Sequence, residues 1–197
     1  MQSDNILTVL KSFVNVLEKY SISYCIGGSI ASSVYGLPRS TMDIDIVADI
    51  QSIHISDLIT DLQNEFYIDE MFIIEAINKV SSFNIIHLYT ALKIDVFIYN
   101  REPHPALAFT RKRKDRLIES DDASEFYFTS PEDIILHKLN WFKLGNQESE
   151  KQWLDVLGVI KVQGRLLDNK YLIKWAHELE IQDLLIRAFS ESNISLK

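Results

Sequence analysis

Near the start of the chain, Ile6, Val9, Leu10, Phe13, Val16 and Leu17 recur at spacings of three and four. That period lines them along one stripe of a helix over about residues 4–19. Ile22 to Ile26 then forms a short apolar run that reads as a buried strand leading straight into Gly27-Gly28. A brief helix over Ser29–Tyr35 follows, stopped by Gly36 and Pro38. Met42 to Val47 reads as a second strand, and residues 55–65 and 69–80 as helices. Phe83 to Tyr89 and Leu92 to Tyr99 are two apolar runs divided by Thr90-Ala91, which predicts a hairpin. Pro103 and Pro105 mark the start of a basic helix, and Glu125 to Phe128 is one further short strand.

From Pro131 onward the pattern is helical. Ser130 is placed to cap a helix with Pro131 at its first position and Glu132 and Asp133 in its first turn. Gly145-Asn146 breaks that helix, and Glu150–Val162, Asn169–Leu179 and Gln182–Ser190 are further amphipathic stretches. Trp141, Trp153 and Trp175 fall on apolar helical faces and are expected in the core. The prediction is an α+β protein: a small mixed β-sheet core over residues 1–130, and a helical extension over residues 131–197 packed on it.

Composition narrows the class. A chain of 197 residues, 47% hydrophobic and 24% charged, can bury a full core. No run approaches the roughly 18 apolar residues of a membrane span, and the start lacks a basic-then-apolar leader. The single cysteine, Cys25, lies in an apolar run and reads as a buried, inert thiol. A cytoplasmic protein that does not associate with membranes is expected. The net charge of −8 argues against wholesale wrapping by nucleic acid. One basic run, Arg111-Lys112-Arg113-Lys114 with Arg116 beyond, is either a solvated helix face or a positive rim for triphosphate or RNA.

The chemistry concentrates at Asp43 and Asp45, which follow Gly27-Gly28-Ser29 after thirteen intervening residues. A strand sends alternate side chains to one face, so the two carboxylates point together while Ile44 and Ile46 point into a core. Paired carboxylates repel unless a cation lies between them, and Mg²⁺ serving phosphoryl or nucleotidyl transfer is the natural candidate. Gly27 and Gly28 let the backbone approach a phosphate, and the helix opening at Ser29 offers free N–H groups. Asp95, flanked by strand-forming apolar residues, is a third carboxylate, although Lys93 sits two residues earlier on the same face and can pair with it.

Gly27-Gly28-Ser29, followed by Arg39-x-Thr41-x-Asp43-Ile44-Asp45, resembles the signature of the DNA polymerase β-like nucleotidyltransferases. The nearest likeness is to small bacterial enzymes of the abortive-infection toxin type. The resemblance covers about residues 20–160. It implies a metal set of Asp43, Asp45 and Asp95 with catalytic roles, one or two Mg²⁺ ions, and an NTP as substrate. Gly27, Gly28, Ser29 and Arg39 would bind the nucleotide. So would Lys138 and Asp155, which match a helix lysine and a next-helix aspartate of the toxin-like members. Trp153 and Leu154 depart from the family, in which a basic residue tends to precede that aspartate.

The expected reaction moves NMP from an NTP to an acceptor: a tRNA end, a partner protein's hydroxyl, or a small molecule such as an aminoglycoside or lincosamide. Two other readings stand beside it. One is a silent nucleotide-binding module of a two-component defence or toxin–antitoxin pair. The other is a metal-dependent phosphohydrolase or nuclease. P-loop, dinucleotide-binding and H-E-x-x-H motifs are absent, and the five histidines, His137 included, show no metal-ligand spacing.

Overall fold

The computed structural model describes residues 2–117 and 124–196. In chain order the elements are α1 (Gln2–Lys19), β1 (Tyr24–Ile26), α2 (Gly28–Tyr35), β2 (Asp43–Ala48), α3 (Ile55–Leu62), β3 (Phe66–Tyr67) and α4 (Glu70–Lys79). They continue as β4 (Ser82–His87), β5 (Lys93–Ile98), α5 (Pro103–Thr110), β6 (Arg113–Arg116), β7 (Glu125–Phe128), α6 (Pro131–Leu144), α7 (Glu150–Gln163), α8 (Asn169–Glu178) and α9 (Gln182–Glu191). Packing divides the chain into two compact units. One is Met1–Gly27 with Thr41–Phe128, and the other is Gly28–Ser40 with Thr129–Lys197. The segment carrying α2 is therefore grouped with the C-terminal helices.

The first unit is built on a mixed sheet of order β3-β4-β5-β2-β1-β7-β6. The pairs β2–β5 and β1–β7 are parallel and the others antiparallel. Alternation decides its faces: Ile44, Ile46, Ile85, Ile94 and Val96 are fully buried, and their strand neighbours point the opposite way. The same core takes Leu10 and Leu17 from α1, Leu58 and Leu62 from α3 and Ile73 from α4. Phe13 meets Phe66 edge-on, ring centroids 6.3 Å apart. The β4–β5 hairpin turns where Thr90-Ala91 predicts it, with Ala91 in the left-handed region (φ 56°).

Two features differ from the sequence expectation. The two-residue strand β3 carries no periodic signal of its own. The basic run is also not a helix face: α5 ends at Thr110, and Arg113–Arg116 forms edge strand β6, paired from Arg113 opposite Phe128 to Arg116 opposite Glu125. An edge strand tolerates charge on both faces, and Glu125 on β7 binds Lys114 at 3.0 Å.

The second unit is helical. Leu136, Leu139, Val156, Val159, Ile160, Leu172, Leu185 and Ala188 are fully buried in it. Ser130 caps α6 by accepting from the Asp133 N–H, and Tyr171 donates to Asp133 at 2.6 Å. Trp153 is buried against Phe142, ring centroids 5.1 Å apart, and Trp175 is half-buried. Trp141 corrects the expectation for the tryptophans: it is 60% exposed on the outward face of α6 that also carries Leu144. Gly36 packs tightly against α7. A Cβ there would stand 2.8 Å from Ser32 O and from Val159 N, both backbone atoms. Gly36→Ala is therefore expected to cost about 1–3 kcal/mol, read as a lower melting temperature. No described helix is long and apolar enough to cross a membrane.

Candidate active site

In the parallel pair β2–β5, Asp43 stands opposite Lys93 and Asp45 opposite Asp95. Ile44, Ile46, Ile94 and Val96 occupy the buried face, so the three carboxylates and the lysine share the other one. Asp43 is 57% exposed at its side chain and Asp95 22%. The Lys93 ammonium lies 2.8 Å from Asp95 Oδ2 and 3.5 Å from Asp43 Oδ1. Its hydrogen bond to Asp95, more than the nearby negative charges, pushes the Lys93 pKa up. The Gly27 N–H donates to the Asp45 carbonyl at 2.8 Å, which ties the glycine turn to the start of β2.

Among the described residues, no three His, Cys, Asp or Glu side chains are drawn together tightly enough to hold a metal ion as they stand. The donor chemistry nevertheless suits a hard divalent cation. Three carboxylates share one face in register, and an ammonium already stands in against two of them.

A second cluster forms within the other unit. Gly28 begins α2 with φ 54°, a left-handed conformation that glycine adopts without strain. Ser29 follows it, and its hydroxyl oxygen accepts from the Arg39 guanidinium. Arg39 also grips Asp155 in a two-point bond, Nε to Oδ1 at 2.7 Å and the second nitrogen to Oδ2 at 2.9 Å. Lys138 on α6 donates to Asp155 Oδ2 at 2.7 Å and to Gln152 Oε1 at 2.9 Å. Asp155 and Lys138 side chains are 3% and 6% exposed. Burial alone would raise the Asp155 pKa. The bonds from Arg39 and Lys138 outweigh it and hold the carboxyl below the usual aspartate value.

The structure thus collects the sequence candidates into two sets. Asp43, Asp45 and Asp95 share one face of the sheet, with Gly27 bonded to its β2 strand. Gly28 and Ser29 open α2 in the unit where Ser29, Arg39, Lys138 and Asp155 form one bonded cluster. Gln152 escaped sequence reading. Its only signal is its place three residues before Asp155 on α7, which puts both on one helical face. The departure at Trp153 has a packing cause: its indole N–H donates to Glu191 Oε2 at 2.8 Å, and the Arg187 guanidinium lies 4.4 Å from the ring centre.

No protein-family model matches the sequence, and no curated protein is detectably similar to it. Solved structures do match in shape. The solution structure of the antibiotic-resistance factor ANT(2'')-Ia gives a TM-score of 0.52 at 11% identity, covering 97% of this chain and 96% of that one. A crystal structure of ANT(2'')-Ia in complex with adenylyl-2''-tobramycin gives 0.50 at 12% identity over 93% and 98%. An antigenic nucleotidyltransferase-like protein from Paracoccidioides brasiliensis gives 0.54 at 15% identity over 96% and 92%. This chain is built on the fold of the nucleotidyltransferases.

Proposed function

We propose that the protein is a Mg²⁺-dependent nucleotidyltransferase that moves NMP from an NTP to a hydroxyl of a small molecule. The observation that carries the reading is the register of β2 and β5, which sets Asp43, Asp45 and Asp95 on one face of a nucleotidyltransferase-type sheet. These three residues would hold one or two ions. Bound there, Mg²⁺ would neutralise the triphosphate and make the attacking hydroxyl more acidic. Asp95 takes the proton from that hydroxyl. The acceptor oxygen then bonds to the α-phosphorus, and the bond from α-phosphorus to the bridging oxygen breaks. Pyrophosphate leaves with that electron pair.

Gly27, Gly28 and Ser29 supply backbone and hydroxyl donors to the nucleotide, and Arg39 and Lys138 supply positive charge. Asp155 fixes the two cations and leaves the cluster a net charge of +1. All three carboxylates are retained, which a silent nucleotide-binding module does not require. The likeness to the abortive-infection enzymes rests on the Gly27-Gly28-Ser29 and Asp43-Ile44-Asp45 motifs and on the positions of Lys138 and Asp155. An NTP substrate and the lone buried thiol of Cys25 both suit the cytoplasm.

The partners already held by the basic run favour a small molecule over RNA as acceptor. Lys112 donates to Ser23 and lies over the Phe109 ring, 4.3 Å from its centre. Lys114 and Arg116 both face Glu125, at 3.0 and 4.0 Å. Lys112, Lys114 and Arg116 thus already have partners, and Glu125 offsets part of the charge of the strand. The adenylyl-2''-tobramycin held by ANT(2'')-Ia is an example of a small-molecule product.

The test incubates the protein with Mg²⁺ and each α-labelled NTP, separately with total RNA, protein extract, and a panel of aminoglycosides and lincosamides. Label is expected on a small molecule. Neutralising Lys114 and Arg116 with Gln is expected to leave that transfer within about twofold, since exposed ion pairs contribute little. Label on RNA overturns the acceptor assignment, and no label on any fraction overturns the transferase.

A further inference from the structure

Lys93 stands directly opposite Asp43 and two residues ahead of Asp95, so its stem leaves the same face of the sheet as the carboxylates. Its ammonium is close to both, 2.8 Å from Asp95 and 3.5 Å from Asp43. Its side chain is 39% exposed, which leaves it room to swing clear. Three carboxylates on neighbouring strands repel one another, and Lys93 cancels one of their charges. A divalent ion needs the oxygen atoms that this ammonium now contacts.

We infer that Lys93 is an internal cation that holds the metal position in the nucleotide-free protein and yields it to an ion arriving with the NTP. The inference rests on the transferase reading above. An ion arriving alone must displace the ammonium with only water to complete its shell. An ion carried by a triphosphate brings phosphate oxygens as further ligands. The displaced ammonium finds a new anion in the triphosphate only when nucleotide is present, so Lys93 couples metal binding to nucleotide binding. It acts on the carboxylates, as a positioning residue.

The experiment follows Mn²⁺ binding by the electron-spin-resonance signal of the free ion, with and without a non-hydrolysable NTP analogue. The full chain is compared with Lys93→Met and Lys93→Arg. Lys93→Met is expected to bind Mn²⁺ alone about tenfold tighter than wild type, because a positive charge has left the site. Its affinity with the analogue present should change little, so the enhancement by nucleotide shrinks by the same factor. Lys93→Arg is expected to restore the wild-type ratio. Lys93→Gln, uncharged but still hydrogen-bonding, is read in the same way if Lys93→Met fails to fold. A lysine with only a structural role would lower the melting temperature and leave the ratio untouched, which overturns the inference. Unchanged or weaker Mn²⁺ binding in the uncharged variants also overturns it, and the transferase reading survives if wild type still binds Mn²⁺ with nucleotide. Absence of nucleotide-linked Mn²⁺ binding in wild type overturns both.

Discussion

Asp45→Asn is expected to slow pyrophosphate release by about a thousandfold or more, with Asp43→Asn close behind. A catalytic metal is worth several kcal/mol of transition-state stabilisation, and each 1.36 kcal/mol is a factor of ten. Loss of one ligand charge from a set of three therefore reaches three orders of magnitude without invoking any other effect. Folding should hardly notice. Asn has the same shape as Asp, Asp43 is 57% exposed, and removal of one charge relieves repulsion on a crowded face. The melting temperature of the metal-free protein should stay within about 2 °C of wild type, as for most substitutions away from a packed core. Asp43→Asn has a second consequence, since Asp43 is also a partner of Lys93. A wild-type rate with Mg²⁺ in either variant would remove these aspartates from the chemistry and, with them, the proposed mechanism.

What could be read from the sequence was what the chain decides locally. The stripe of α1 follows from a period of three and four. The β4–β5 hairpin follows from two apolar runs and a short break. The cap at Ser130 follows from its own four residues. The common face of Asp43 and Asp45 belongs to the same class, because alternation along one strand suffices to place them. Strand β6 does not, since the residues Arg113 to Arg116 become a strand only through pairing with β7. Trp141 and Trp153 look alike in sequence, yet one faces outward and the other stacks on Phe142. Neighbouring helices make that distinction.

The Arg39–Asp155 bond spans 116 positions, and no local pattern announces it. It depends on α2 and α7 meeting where Gly36 and Gly158 leave room for the backbone of one to approach the other. Resemblance pointed to Lys138 and Asp155, but neither their burial nor the bond from Lys138 to Gln152 was visible in the chain. Two buried ionisable side chains on amphipathic helices look like ordinary surface charges until the packing is known.

Asp155→Ala is expected to produce the largest loss of stability. Its carboxylate receives two bonds from Arg39 and one from Lys138, and both it and Lys138 are almost fully buried. Removing it leaves two like charges facing each other, one of them away from water. Breaking a buried ion pair in this way costs about 3–5 kcal/mol, which lowers the melting temperature by roughly 10 °C or more. Lys138→Met is the informative contrast. Asp155 keeps its two-point bond to Arg39, so the fold loses less, while the cluster falls from a net charge of +1 to zero. If Lys138 serves the triphosphate, NTP affinity then drops about ten- to a hundredfold, the value of a charge-assisted contact. The double variant should recover part of the stability lost in Asp155→Ala, because it no longer buries an unpaired ammonium. Acid gives an independent reading of the same cluster. The Asp155 pKa is depressed in the folded protein, so its contribution to stability is complete at neutral pH. That contribution begins to fall near pH 4, where the unfolded chain takes up its proton, and vanishes as the pH passes below the folded value. Asp155→Ala should flatten that acid limb of the melting profile. A limb unchanged by the substitution would mean that Arg39 and Lys138 do not hold the carboxylate in solution.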